Sequence, residues 1–142
     1  MVPQGTSELE SHAVRSSDDR SLPRVRACRI DDVVTSDMTG PIAGMKLDIE
    51  GFELEALRGA ESFLARPEVI LFCELNEKML RKAGASVDEV VAFLRERGFS
   101  FLTVEGEPFD RYDPTWPDYK NAVFHKGSEA ARRVQAAFAS SR

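Results

Sequence analysis

The feature that most constrains this chain is an almost continuous apolar run, Glu68-Val-Ile-Leu-Phe-Cys-Glu-Leu75. A strand of an antiparallel sheet usually alternates apolar and polar residues, whereas a parallel strand covered by helices on both faces is apolar throughout. The run therefore predicts a central strand that is buried on both faces. It also predicts an α/β chain in which helices connect parallel strands.

Further segments fit that architecture. Strands are predicted over residues 42–49, 68–75, 99–104 and 121–126. The order of elements favours parallel pairing of the first three strands with right-handed crossovers. No helix separates the third strand from the fourth, so we expect these two to pair antiparallel through the long loop 105–120.

Helices are predicted between the strands. From Phe52 onward the apolar residues repeat with helical spacing and form one stripe: Ala56, Leu57, Ala60, Phe63 and Leu64. Ser86 and Glu89 form a capping box for a helix that ends at Gly98. Residues 76–85 read as a connection with a short helical turn, and residues 128–139 as a last helix.

The N-terminal part is less regular. Residues 1–24 are polar and are expected to be a flexible segment. Residues 25–30 could form a short strand, and residues 31–34 a helical turn.

Composition excludes several functional classes. The net charge of −5 and the lack of basic clusters argue against a nucleic-acid partner. No stretch approaches the roughly 18 apolar residues of a membrane span, so no membrane partner is expected. Cys28 and Cys73 lie in no CxxC pair, which argues against zinc. We expect reduced thiols, a cytoplasmic protein and no metal ligands.

Polar residues follow two neighbouring predicted strands. Asp48 and Glu50 lie at the end of the first strand, and Glu74 and Asn76 at the end of the next. Ligands of doubly wound sheets bind outside the carboxyl ends of parallel strands. Clustered carboxylates raise one another's pKa or attract a cation. Either effect suits a base that removes a proton from an acceptor hydroxyl.

Each of these residues also has a purely structural interpretation. Glu50 could favour the positive end of a helix dipole, and Asp48 could bond a neighbouring loop. Gly51 could serve a tight turn, or its amide could face a ligand. Asn121 could line the site or cap a loop.

Aromatic and histidine side chains leave similar alternatives. Tyr112, Trp116 and Tyr119 could cover an acceptor site or pack the long loop onto the sheet. His125 reads as a surface residue of its strand rather than as a catalytic base.

The block around Gly51 resembles the FkbM family of methyltransferases. That family has a strand ending in Lys-x-Asp-x-Glu-Gly, followed by a Glu-x-x-x-Leu-x-Gly-Ala helix. The corresponding residues here are Lys46, Asp48, Glu50 and Gly51, then Glu53, Leu57, Gly59 and Ala60. Three flanking segments also resemble the family, in the same order along the chain: residues 29–33, 71–76 and 121–124.

The resemblance implies the C-terminal half of a Rossmann-like class I methyltransferase fold, mostly parallel with an antiparallel last strand. The partial domain would span residues 25–126, and residues 127–142 would form a helical tail. The implied reaction is S-adenosylmethionine-dependent O-methylation of a sugar or a secondary metabolite. The implied site residues are Asp48, Glu50 and Glu74 for catalysis, Asp48 and Gly51 for the cofactor, and Asn76 and Asn121 for a small-molecule or glycan acceptor.

One departure from the family suggests an alternative. The family binds its cofactor with a Gly-rich loop after the first strand and an acidic residue after the second. Nothing before Ile42 matches either element, so the sequence reads as a truncated domain. The alternative is a non-catalytic remnant or a partner-dependent subunit. Its first strand would then expose an edge that invites homo-oligomers, unless residues 25–34 cover it.

A third interpretation is a magnesium-dependent phosphatase. Leu47-Asp-Ile-Glu-Gly51 superficially resembles the Asp-x-Asp strand end of those enzymes. The second acid is Glu, and no Thr or Val follows at the expected place. We rank this interpretation well below the other two.

Overall fold

The computed structural model describes residues 27–34 and 43–140, which contain four strands and six helices. The strands are β1 (Ala43–Leu47), β2 (Val69–Leu75), β3 (Ser100–Thr103) and β4 (Lys120–Lys126). The helices are α1 (Ile30–Val33), α2 (Glu53–Arg58), α3 (Glu61–Leu64), α4 (Glu77–Lys82), α5 (Val87–Arg95) and α6 (Ser128–Ser140).

The four strands form one sheet in the order β1-β2-β4-β3. β1 pairs with β2 in parallel, while β4 pairs antiparallel with both β2 and β3. The predicted antiparallel pairing of the last two strands is therefore confirmed. The α/β class is also confirmed, but the sheet is mixed and not mostly parallel. β3 runs in the same direction as β1 and β2, yet β4 lies between it and β2.

The main core lies on one face of the sheet. Alternate residues of β2 are fully buried there, together with the apolar sides of α2, α3 and α5. Ile70 and Phe72 point to the opposite face and are only half-buried. The prediction that this run is buried on both faces is thus wrong for the second face. α6 packs against β4 and buries Ala130 and Val134 outside the main core.

The helix predicted from Phe52 to Leu64 is interrupted. α2 ends at Arg58, and α3 begins at Glu61. Asp31 explains the break, because its carboxylate accepts hydrogen bonds from the amides of Ser62 and Phe63 at the start of α3. The amide of Asp31 donates to the carbonyl of Gly59. A contact from a distant segment therefore starts a new helix within one apolar stripe.

The N-terminal predictions are tested only in part, because residues 1–26 and 35–42 lie outside the described residues. Residues 27–29 have no regular structure, so the described part of the predicted strand 25–30 is not a strand. The helical turn predicted at residues 31–34 is confirmed as α1. α1 packs against α3 and does not cover β1.

The predicted start of α5 is confirmed. The Ser86 hydroxyl accepts a hydrogen bond from the amide of Glu89 at 3.2 Å and donates to its carboxylate at 2.9 Å. Gly98, at φ 81°, ends the segment, as the sequence predicts. No helix of the described residues is both long enough and apolar enough to cross a membrane.

The loop between β3 and β4 is packed onto the sheet. The Phe109 ring lies edge-on to Phe124 and Trp116, and Tyr112 lies edge-on to Trp116. Two further contacts hold the loop: Arg95 donates to the carbonyl of Asp110, and Asp88 accepts from the amide of Tyr112. Tyr112 and Trp116 therefore pack the loop, whereas Tyr119 is 52% exposed.

Alanine substitutions at two glycines with positive φ distinguish the cost of a steric clash from the cost of backbone strain. A Cβ atom at Gly51 (φ 101°) would lie 2.4 Å from the carbonyl oxygen of Met79, whereas one at Gly84 (φ 86°) would meet nothing within 4 Å. We predict that Gly84→Ala lowers the free energy of unfolding by about 1–2 kcal/mol. Gly51→Ala should cost roughly 1–3 kcal/mol more because of the added clash. Equal losses in urea unfolding would contradict the close approach at Gly51.

Candidate functional site

The parallel pairing of β1 with β2 brings two acidic residues together. Leu47 lies opposite Cys73, the last aligned pair of these two strands. Asp48, which follows β1, therefore lies beside Glu74 near the end of β2. Because both strands run in the same direction, their carboxyl ends meet at one edge of the sheet. The sequence prediction that these residues converge is confirmed.

Asn121 extends this polar row across a third strand. It is directly opposite Glu74 in the antiparallel pair of β2 and β4. Directly opposed residues of an antiparallel pair point to the same face, with Cβ atoms about 5 Å apart. Asp48, Glu74 and Asn121 thus lie on three adjacent strands at one edge of the sheet.

Glu50 reaches the same place through an unusual turn. Its φ of 55° is in the left-handed region, and it is the one non-glycine residue of the described chain with positive φ. Gly51 follows with φ 101°. The carboxylate oxygens of Asp48, Glu50 and Glu74 lie within 4.8 Å of one another. Strained non-glycine residues of this kind are concentrated at functional sites.

The charges of the cluster are partly compensated by a lysine. The Lys46 ammonium donates a hydrogen bond to Asp48 at 2.8 Å. That contact raises the pKa of Lys46. Among the described residues, Glu74 forms no ion pair of this kind. Partial burial raises the pKa of Glu74, the nearby Asp48 and Glu50 carboxylates raise it further, and Lys46 opposes this rise only in part.

This arrangement provides a carboxylate that holds a proton more tightly than a free glutamate does. A base with a raised pKa removes a proton from a hydroxyl more effectively, provided that it is ionised at the working pH. Ile49, which lies between Asp48 and Glu50 in the chain, is 39% exposed. Asp48 and Glu50 are themselves exposed, so the cluster is open to solvent.

Two of the predicted site residues have structural roles in the described chain. The Asn76 side chain caps α4 by accepting a hydrogen bond from the amide of Met79 at 3.1 Å. The amide of Gly51 donates to Glu53 at 3.2 Å, inside the turn. Contacts of Asn76 with an acceptor and of Gly51 with a cofactor stay predictions.

His125 lies far from the cluster. It is four residues beyond Asn121 on β4 and pairs with Ile70 at the opposite end of β2. A strand rises about 3.3 Å per residue, which places His125 about 13 Å from the polar row. Burial lowers the pKa of His125. His125 is half-buried on its strand and is not the surface residue that the sequence suggests.

Sequence patterns did not single out Glu53 as a site residue, because it entered only as the first residue of the family's Glu-x-x-x-Leu-x-Gly-Ala helix. It is 2% exposed, and its carboxylate contacts the turn that carries Glu50. A signal was available in the sequence. Glu53 lies three and four residues before Ala56 and Leu57, so it continues the apolar stripe of the helix.

Comparison with known proteins identifies the family. The methyltransferase FkbM domain matches residues 2–101, well over half of the chain. The chain belongs to the FkbM methyltransferase family. The match includes the Lys46–Ala60 block on which the resemblance was based, and it ends within β3. Neither the curated proteins nor the solved structures contain a match to this FkbM-family chain.

Removing one charge from the cluster should lower the pKa of Glu74. Glu50→Gln deletes a like charge that raises it, and Glu96→Gln on the exposed end of α5 is the control. A raised folded-state pKa means that stability falls as pH rises through it, starting from the pKa of a free glutamate. Glu50→Gln should reduce this loss of stability with rising pH. The measurement is an NMR titration of the Glu74 carboxyl carbon, and an unchanged midpoint would refute the coupling.

Proposed function

We propose that this chain catalyses S-adenosylmethionine-dependent O-methylation of a sugar or secondary-metabolite hydroxyl. Membership of the methyltransferase FkbM family supports methyl transfer in general. The observation that carries the finer proposal is the convergence of Asp48, Glu50 and Glu74 at the carboxyl ends of β1 and β2. A hydroxyl acceptor needs a base, and this cluster offers one.

The polar end of the cofactor fits the chemistry of this edge. S-adenosylmethionine carries an ammonium and a sulfonium, and the acidic cluster offers carboxylates to cations, with Asp48 the proposed contact. The adenosine end is not matched by the described residues. Two glycine turns of the described residues lead from a strand into a helix, at Gly51 and Gly127. The space beside Cα is filled by the backbone of Met79 at Gly51, and by Glu68 and the Pro67 carbonyl at Gly127.

Glu74 is the proposed base. When bound, the cofactor supplies an electrophilic methyl group on a positively charged sulfur. Glu74 would take the proton that the acceptor hydroxyl loses when it is methylated. Asn121, opposite Glu74, would orient the acceptor by hydrogen bonding. Partial burial raises the pKa of Glu74, and the Asp48 and Glu50 carboxylates raise it further, so that it binds the proton strongly.

The proposed compartment is the cytoplasm. Cys28 and Cys73 are both free thiols. Burial raises the pKa of the Cys73 thiol, which keeps it protonated and unreactive. Free thiols are usual where thiols are kept reduced.

The test is methyl transfer from methyl-labelled S-adenosylmethionine to a panel of sugars and hydroxylated metabolites. Labelled product is detected by mass spectrometry. Glu74→Gln, which keeps the size of the side chain but cannot accept the proton, should lower kcat by about 10²–10⁴-fold. Glu96→Gln should leave the rate unchanged. Full activity of Glu74→Gln would refute its role as base, and no transfer by the wild-type chain would refute the proposed activity.

The edge of β1 favours a second candidate, a partner-dependent subunit. Within the described residues, β1 pairs with β2 alone, and its other edge pairs with no described strand. Such edges pair readily with other strands. In this case the chain acts as part of a complex, with a second copy of itself as the proposed partner at that edge.

Sedimentation and cofactor titration distinguish the two candidates. A partner-dependent chain should self-associate. The amide of Ala43 bonds to the β2 side, so the amide of Gly44 faces the other edge of β1. Gly44→Pro, which removes that donor, should weaken the association. Binding of S-adenosylmethionine by calorimetry should appear only with the assembled species. A monomer that binds the cofactor alone would refute this second candidate.

A further inference from the structure

Glu53 makes an uncommon set of contacts. It is the first residue of α2 and is 2% exposed. One carboxylate oxygen, Oε1, accepts hydrogen bonds from the amides of Ile49 and Gly51, each at 3.2 Å. The other oxygen, Oε2, is buried and has no hydrogen-bond partner among the described residues. Burial raises the pKa of Glu53.

The two amides are on either side of Glu50, the residue with left-handed backbone. Amides that converge in such a turn form a concavity that binds anions. Here the chain fills the concavity with its own carboxylate. Gly51 is fixed from the other side as well, because the Met79 carbonyl leaves no room for a Cβ atom. The turn is therefore held by a side chain on one side and by α4 on the other.

The direction of these bonds distinguishes Glu53 from a helix cap. The side chains of Ser86 and Asn76 cap their helices, because each accepts a hydrogen bond from the amide three residues further along the chain. The Glu53 side chain instead accepts hydrogen bonds from the amides of Ile49 and Gly51, which precede it in the chain. It therefore fixes the turn that precedes α2 and not the helix itself. An exposed carboxylate could favour the helix dipole without the cost of burial.

We propose that Glu53 is a positioning residue, which holds the Ile49–Gly51 turn in the conformation that keeps Asp48 and Glu50 beside Glu74. Its importance for catalysis rests on the proposed methyl transfer. The effect of Glu53 on the geometry of the cluster does not depend on methyl transfer, because that geometry is a property of the folded chain.

The matched variants are Glu53→Gln and Glu53→Leu. Both remove the charge and nearly preserve the volume, but only Gln keeps an oxygen that can accept the two amides. Because Glu53 is itself one of the charges near Glu74, comparing these two variants isolates the geometry of the turn. Leu57→Val, a buried change in the same helix, controls for a general loss of stability.

The first readout is the NMR titration of the Glu74 carboxyl. In Glu53→Leu the pKa of Glu74 should fall toward that of a free glutamate, because Asp48 and Glu50 move away, while Lys46 stays on β1. Glu53→Gln should lower it only by the loss of the Glu53 charge, and Leu57→Val should leave it at the starting value. If Glu53→Leu fails to fold, Glu53→Asp replaces it, because its shorter side chain cannot reach both amides.

The outcome that overturns the proposal is equally specific. A pKa of Glu74 that is the same in Glu53→Leu as in Glu53→Gln, or the same in Glu53→Asp as in the wild type, would show that the turn holds without Glu53. Rapid hydrogen exchange of the Ile49 and Gly51 amides in the wild-type chain, relative to the amides of β2, would do the same.

Kinetics provide the second readout and separate this inference from the proposed function. Glu53→Leu should lower kcat by about tenfold or more, as misplaced catalytic groups do, with the KM for the acceptor unchanged, and Glu53→Gln should restore the rate. If the Glu74 titration behaves as expected but no variant and no wild-type chain transfers methyl groups, only the proposed function fails. If transfer occurs but Glu53→Leu is fully active, only the positioning role fails.

Discussion

The structure depends on the pairing of β2 with a strand on each side. Every residue from Ala43 to Leu47 has a partner on β2, and every residue of β2 has a partner on β4. A shift of one residue in either register would turn the buried residues of a strand to the other face. The same registers place Asp48 and Asn121 beside Glu74. The core and the polar row therefore have a common geometric origin.

The carboxylates of the site lower the stability of the fold. Three carboxylates within 4.8 Å repel one another. A fourth carboxylate, that of Glu53, is buried, and one of its oxygens has no hydrogen-bond partner in the described part of the chain. The protein tolerates these groups because the turn between β1 and α2 is fixed by backbone contacts on both sides. Stability sacrificed at one place in this way is usual for functional sites, whose strain is offset by the packing elsewhere.

The conformation of the long loop between β3 and β4 could not be predicted from its composition. Its aromatic residues suit either a mobile cover or a packed segment. Tyr112 and Trp116 pack because Phe101, Phe109 and Phe124 provide ring edges and faces at about the right distance. Tyr119 stays exposed because it lies beyond this cluster, immediately before β4. The loop thus stabilises the sheet and leaves one aromatic side chain exposed.

The sequence by itself determined the local elements and the membership of a family. The spacing of apolar residues predicted the strands and the helices. Ser86 and Gly98 predicted the limits of α5. The Lys46–Ala60 block indicated the FkbM family. The sequence also indicated that Asp48 and Glu74 converge, because parallel strands end at one edge. Tertiary structure decided the rest. The break between α2 and α3 depends on Asp31, some 30 residues away in the chain. The half-exposed second face of β2 and the position of β4 follow from how the elements pack. The role of Glu53 likewise depends on backbone amides whose directions are fixed only when the turn at Gly51 closes against α4. Sequence patterns record periodicity and local bonding, whereas contacts between distant segments are decided by the three-dimensional packing.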